Sequence, residues 1–205
     1  MSAFLGPIHH WLYNKVKIQN EMAERILNEC VGEENRESYE NEILVKIGEF
    51  SVKPLEEIID ENNIHGWLQD KVSYVERKIS IVVTKLLKDE SDAAEKILDC
   101  MNNMGEEMGN QLSDITSPEA VYKILNDLLV DGMPCDHINQ LTSKEEDKVE
   151  WLQTRCIHSQ YWDEVKGDVA NYYAIRNAFV TGLLSHTPIR YRAGSDGHYV
   201  LVKEK

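Results

Sequence analysis

The sequence predicts an α+β fold: a helical N-terminal half of about four helices, packed on a small antiparallel sheet with covering helices. Three observations carry that prediction. Apolar residues recur at helical spacing through the first half, as in Ile64, Leu68, Val72, Val75, Ile79, Val82 and Leu86. A short pattern, I-H-x-W-L-x-x-K-V, occurs twice, at Ile8–Val16 and Ile64–Val72, offset by 56 residues. After Gly132 the apolar period changes from helical to alternating, which reads as strands.

Each copy of the repeat opens a helix. Pro7 suits a first helical position and Asn63 suits an N-cap. A more polar helix follows each copy. One carries Ile43, Leu44 and Ile47 and is interrupted near Pro54 before Leu55, Ile58 and Ile59; the other carries Ile97, Met101, Met104, Met108 and Leu112. Together they predict a duplicated αα-hairpin. The methionine stripe is most simply core, since methionine fills gaps at helical spacing. Ser117-Pro118-Glu119 starts a further helix with Val121, Ile124, Leu125, Leu128 and Leu129 on its buried stripe; Gly132 and Pro134 stop it.

Strands are expected at His137–Thr142 and Lys148–Cys156, joined through the polar Ser143–Asp147 link. A long helix is expected over Tyr161–Leu184, with Trp162, Val165, Val169, Tyr172, Arg176, Phe179 and Leu183 on one side. Gly167 delays its regular part to Asp168. A last hairpin pairs Ile189–Arg192 with His198–Val202 across Gly194-Ser195-Asp196-Gly197. This divides the chain into a helical domain, 1–116, and an α+β domain, 117–205, ordered helix, hairpin, helix, hairpin.

The 205 residues carry 36 Asp and Glu against 22 Lys and Arg, a formal net charge of −14. Such acidity disfavours nucleic-acid backbones and anionic membrane surfaces as partners. The longest apolar run, Ile79–Leu87, is too short to span a bilayer, and the first residues (Met1-Ser2-Ala3-Phe4) do not read as a signal peptide. A cytoplasmic location is the expectation, and four cysteines in so long a chain then read as thiols. Cys30 and Cys100 fall in helical patterns and read as buried thiols.

Reactive chemistry concentrates in Cys-x-His, written twice: Cys135-Asp136-His137 and Cys156-Ile157-His158. On a strand, residues i and i+2 share a face, and a hairpin turning between Glu145 and Glu146 sets Cys135 opposite Cys156. Cys135, His137, Cys156 and His158 are therefore a candidate metal set for zinc, iron or copper. The ordinary alternative is two buried thiols beside two hydrogen-bonded imidazoles. Without a metal, Cys156 is a candidate nucleophile, with His158 or His137 as base and Asp136 as the acid that orients it. His9 and His65 hold equivalent places in the repeat and form a second candidate pair for a metal or a haem iron, with a capping or core-edge role as the alternative. Arg176, on a buried stripe beside Tyr172, needs an anion: a ligand carboxylate, or a structural salt bridge. No G-x-G-x-x-G, Walker, H-E-x-x-H or G-x-S-x-G motif occurs, which removes the ordinary nucleotide-binding, zincin and α/β-hydrolase readings.

The run Thr154-Arg155-Cys156-Ile157-His158, with Tyr161-Trp162, Gly167-Asp168, Tyr172, Phe179, Gly182 and a tyrosine-rich last hairpin, resembles the C-terminal part of the L-2-amino-thiazoline-4-carboxylic acid hydrolase-like family. It is also similar to the vinyl-reductase-type small-molecule-binding domains. About fifty residues carry the resemblance. Cys156 matches the family's first cysteine. Ile157 stands where a proline often follows, and His198 stands near where a later cysteine is expected. The resemblance implies a ligand-binding α+β domain before it implies an enzyme. Three functional expectations result: a small-molecule- or metal-binding protein with a Cys/His-lined site; a cysteine-dependent hydrolase of a small C–N or C–S bond; or a non-catalytic protein-interaction module.

Overall fold

The structure is a computed structural model that describes residues 5–194 and 196–204. Ser195 of the last turn and the Met1–Phe4 stretch lie outside the described residues. The chain runs α1 (Pro7–Cys30), α2 (Glu33–Ile47), α3 (Leu55–Ile58), α4 (Ile64–Asp89), α5 (Ala93–Gly109), α6 (Pro118–Leu128), a single 3-10 turn (Pro134–Asp136), β1 (Asn139–Lys144), β2 (Lys148–Gln153), α7 (Ser159–Glu164), α8 (Ala170–Leu183), β3 (Ile189–Ala193) and β4 (His198–Lys203). It is an α+β fold. No described helix is long and apolar enough to cross a membrane.

The helix starts follow their local chemistry. Pro7 opens α1; Asn63 caps α4 by accepting from the Gly66 amide at 3.1 Å, and Ser117 caps α6 by accepting from Ala120 at 3.4 Å. The two repeat helices lie side by side and run the same way. His9 meets His65 near their starts, and Asn20 meets Lys78 further along. Helix α5 returns antiparallel to α1, with Arg25 bonded to Glu107 and Cys30 to the Lys96 carbonyl.

The closest approach in the fold is between α5 and α8, which run parallel. Gly105 and Gly109 on α5 face Gly182 and neighbouring backbone on α8. A Cβ built on Gly105 would fall 2.1 Å from the Phe179 carbonyl oxygen, and one on Gly182 would fall 1.9 Å from that of Asn102. Only hydrogen at the α-carbon lets the two backbones touch. Met101 and Met104 fill the core beside this seam, as the methionine stripe predicts.

The four strands form one antiparallel sheet in the order β1-β2-β4-β3. On β2, Val149, Trp151 and Gln153 point inward; on β4, Tyr199 and Leu201 do so. Val149, Trp151, Tyr199 and Leu201 join one hydrophobic cluster with residues from α1, α2, α4, α5, α6, α7 and α8. The expected division at residue 116 therefore does not separate two cores. A smaller cluster, centred on Leu12, Val16, Leu68 and Val72, closes the end where the repeat helices begin.

Two expectations about local structure are corrected. The long helix over Tyr161–Leu184 is two helices, because Lys166 adopts a left-handed φ of 56° and Gly167 packs on Thr84. The first hairpin is shorter than expected and shifted in register: Leu141 pairs with Trp151 and Lys144 with Val149, across an irregularity between Leu141 and Ser143.

The α5–α8 seam predicts a stability effect. Gly182→Ala should lower stability by about 1–3 kcal/mol or more, because backbone cannot yield as a side chain does. Gly6→Ala, whose Cβ enters open space, should leave it nearly unchanged. Urea unfolding should show the first as a lower midpoint at unchanged slope.

Candidate functional site

The segment leaving β2 builds the site. Thr154 closes the base of the first hairpin, donating to the Ile138 carbonyl through its amide at 2.8 Å and its hydroxyl at 3.0 Å. The chain then leaves the ladder. Arg155 and Cys156 are exposed, and His158 turns inward to become fully buried at the start of α7.

His158 is the centre of a buried polar chain. Its Nδ1 lies 3.1 Å from both carboxylate oxygens of Glu76 on α4, so the ring carries its proton there and donates it. Its Nε2 points toward Asp131 at 3.9 Å. Asp131 accepts from both terminal nitrogens of Arg176, at 2.5 and 3.2 Å, and from Asn139 at 2.7 Å. Tyr172 stacks on the imidazole with ring centroids 3.8 Å apart, and Tyr173 meets it edge-on at 5.9 Å. Burial would raise the Asp131 carboxyl, but Arg176, His158 and Lys15 outweigh it and hold it below the usual carboxylate range. Burial, reinforced by Glu76, pushes the Tyr172 phenol well up.

Lys15 on α1 completes the set. It is buried, with its ammonium 3.9 Å from the Trp11 ring centroid. Burial lowers its pKa to about 8, against the attraction of Asp131 and Asp127.

Two cavities flank the exposed part of the segment, and Arg155 and Cys156 line both. One, of about 430 Å³, is bounded by Glu76, Asp136, Gln160 and Tyr161. The other, of about 750 Å³, is bounded by Gln153, Tyr173, Asn177, Tyr199 and the β3–β4 turn. Gln153 is only 7% exposed. Its Oε1 accepts from the Tyr173 hydroxyl at 3.1 Å, while its Nε2 has no partner among the described residues. Burial, together with the Cys156 thiol against it, raises the Tyr173 phenol, which stays a proton donor.

The four Cys-x-His ligands do not converge. Pro134 and the Asp136 side chain, which accepts from the Met133 amide at 2.8 Å, fix a turn at Cys135. His137 then takes a left-handed φ of 48°, so β1 starts only at Asn139. On the other side β2 ends at Gln153, and Cys156 and His158 end up in opposite environments. Cys135 and His137 are exposed, Cys156 is exposed and His158 is fully buried. Among the described residues no group of three or more His, Cys, Asp or Glu side chains is placed to hold a metal ion.

The nucleophile set is corrected as well. His158 bonds Glu76, and Asp136 bonds Arg155 at 3.0 Å instead of orienting an imidazole. Arg176 has its anion inside the protein, in Asp131, and Tyr172 is a stacking partner in the core; neither offers itself to a ligand carboxylate.

His9 and His65 do meet, with Nε2 atoms 3.4 Å apart. Two zinc ligands on a tetrahedron are separated by a similar span, about 3.3 Å. The hydrogen bonding accounts for the pair without a metal. The Gly6 amide donates to His9 Nδ1 at 2.9 Å, so the proton of this imidazole sits on Nε2 and is donated to His65. The pair ties together the starts of α1 and α4.

Two stability predictions come from the buried chain. Asp131→Ala leaves a guanidinium unpaired in the core and should cost about 3–5 kcal/mol; Asp131→Leu combined with Arg176→Met should recover most of that in urea unfolding at neutral pH. For Lys15 the folded pKa of about 8 lies below the ordinary 10.5. The unfolded chain binds more protons between those values, so this group makes stability rise as pH climbs through that window. Lys15→Met should remove that rise and stabilise the protein by up to about 3 kcal/mol below pH 8. The difference between the two proteins' unfolding free energies at pH 7 and pH 10 checks it.

Compared with known proteins, the chain matches no family model, no curated protein and no solved structure.

Proposed function

We propose that this protein binds a small molecule in the cavity of about 750 Å³ beside Cys156. One observation carries the reading. Gln153 lines that cavity and carries a buried amide nitrogen with no partner among the described residues. Leaving such a donor unsatisfied costs about 1–3 kcal/mol, and a ligand acceptor relieves it. The cavity's volume is in the range of small-molecule sites. Its walls combine the phenol rings of Tyr173 and Tyr199 and the methyls of Ala170 and Ala174 with the Arg155 guanidinium. The fitting ligand has an apolar, preferably aromatic body and a carbonyl or carboxylate acceptor.

The hydrolase alternative has the exposed Cys156 thiol in its favour, while the His158 imidazole, one of its two candidate bases, is committed to Glu76. The interaction-module alternative has Leu44 and Val45 of α2, which lie exposed.

The test is saturation-transfer NMR and thermal shift with a panel of small aromatic carboxylates and amides. At least one should bind saturably and protect Cys156 from iodoacetamide. Gln153→Leu should weaken it by roughly 5- to 100-fold in a protein that still unfolds cooperatively. Binding that survives Gln153→Leu, or a panel with no saturable member, counts against the proposal.

A further inference from the structure

The second notable pair of side chains lies away from both cavities. Cys30 ends α1, and Cys100 lies within α5, the helix that runs back along it. Both thiols are 5% exposed and belong to the main core cluster. The Cys30 thiol donates to the Lys96 carbonyl at 3.6 Å, one turn before Cys100. The Cys100 thiol donates to the Glu29 carboxylate at 3.4 Å, on the residue preceding Cys30. Each sulfur is therefore held by the immediate neighbourhood of the other.

Their electrostatics differ. The neighbouring Cys100 lowers the Cys30 thiol, outweighing burial, with the Lys96 ammonium aiding and Glu29 and Glu90 opposing. Cys100 is pushed up by Cys30 and by burial. The two thiols titrate as a pair, so that ionising one makes the other harder to ionise.

We propose that Cys30 and Cys100 form a redox dithiol that reduces a small hydroperoxide and closes to an intramolecular disulfide. The Cys30 thiolate attacks the terminal peroxide oxygen. The O–O bond breaks, and Cys30 becomes a sulfenic acid. The departing alkoxide takes up the proton the thiol gave up and leaves as an alcohol (water, when the oxidant is hydrogen peroxide). The Cys100 sulfur then attacks the Cys30 sulfur. An S–S bond forms, the S–O bond breaks, and water leaves with the Cys100 proton. The two thiols lose two electrons and the peroxide gains them. Low exposure restricts the oxidant to a small one. The product bridge ties the end of α1 to α5.

The experiment uses the full chain with Cys135→Ser and Cys156→Ser, which removes the two exposed thiols. Native protein is treated with hydrogen peroxide. The intact mass should fall by about 2 Da, peptide mapping should link Cys30 to Cys100, and dithiothreitol should reverse both. With Cys100→Ser added, dimedone should label Cys30, trapping the sulfenic acid. Two free thiols after excess peroxide would overturn the proposal. So would over-oxidation without a link, or a disulfide that forms only after urea unfolding.

Discussion

The buried His158 imidazole draws its surroundings from distant parts of the chain: its Nδ1 bonds Glu76, while its Nε2 faces Asp131 at 3.9 Å with no hydrogen-bond partner among the described residues. Glu76 comes from α4, Asp131 from the linker after α6, and Arg176, which holds Asp131, from α8. Lys15 contributes from α1 at longer range. Such a chain adds little net stability, because desolvating the charges consumes most of their attraction. Its effect is on placement. If α4 shifted along α7, or α8 turned on its axis, a buried charge would lose its partner. Five segments that hydrophobic packing alone would leave free to slide are thereby held in one arrangement.

The α5–α8 seam does the complementary work. Ion chains tolerate small shifts, whereas backbone contact at Gly105, Gly109 and Gly182 does not. Because α5 also packs on α1, and α8 also carries Tyr172, Tyr173 and Arg176, the seam joins the helical half to the side chains around His158. This is why the fold has one core across residue 116: the helices that carry the polar chain belong to both halves.

Much of the architecture was legible from periodicity. The repeat gave His9 and His65 equivalent places, and the two rings do meet; the stripe through Trp162, Tyr172, Phe179 and Leu183 is buried as expected. The candidate site was less legible. Arg176 stood out as a charge on an apolar stripe, and the same reasoning applied to Glu76, between Val72 and Ile79, and to Lys15, beside Leu12 and Val16, would have found two more members. Asp131 carries no such signal, since it lies in a linker. The Cys-x-His reading failed on backbone detail: a strand was assumed to continue through His137, where the chain takes a left-handed turn, and through Cys156, where it peels away. Period-two arguments hold only while the ladder lasts. The glycine seam was missed because glycine within a helix usually reads as a weakness, and only the partner helix reveals its use.

Cys156 and His158, two residues apart, show how the segment after β2 separates position from exposure. His158 is anchored at zero exposure, and Thr154 is tied to the Ile138 carbonyl. Between these fixed points Arg155 holds only a surface ion pair with Asp136, an interaction worth at most about 1 kcal/mol. The ends of the segment are tied by these contacts, and its middle holds only the surface pair. The thiol carried there lines both flanking cavities while the flanking backbone stays registered to the sheet and to α7. A core built only of apolar contacts would place Cys156 less exactly in space; the buried imidazole beneath it supplies the fixed reference.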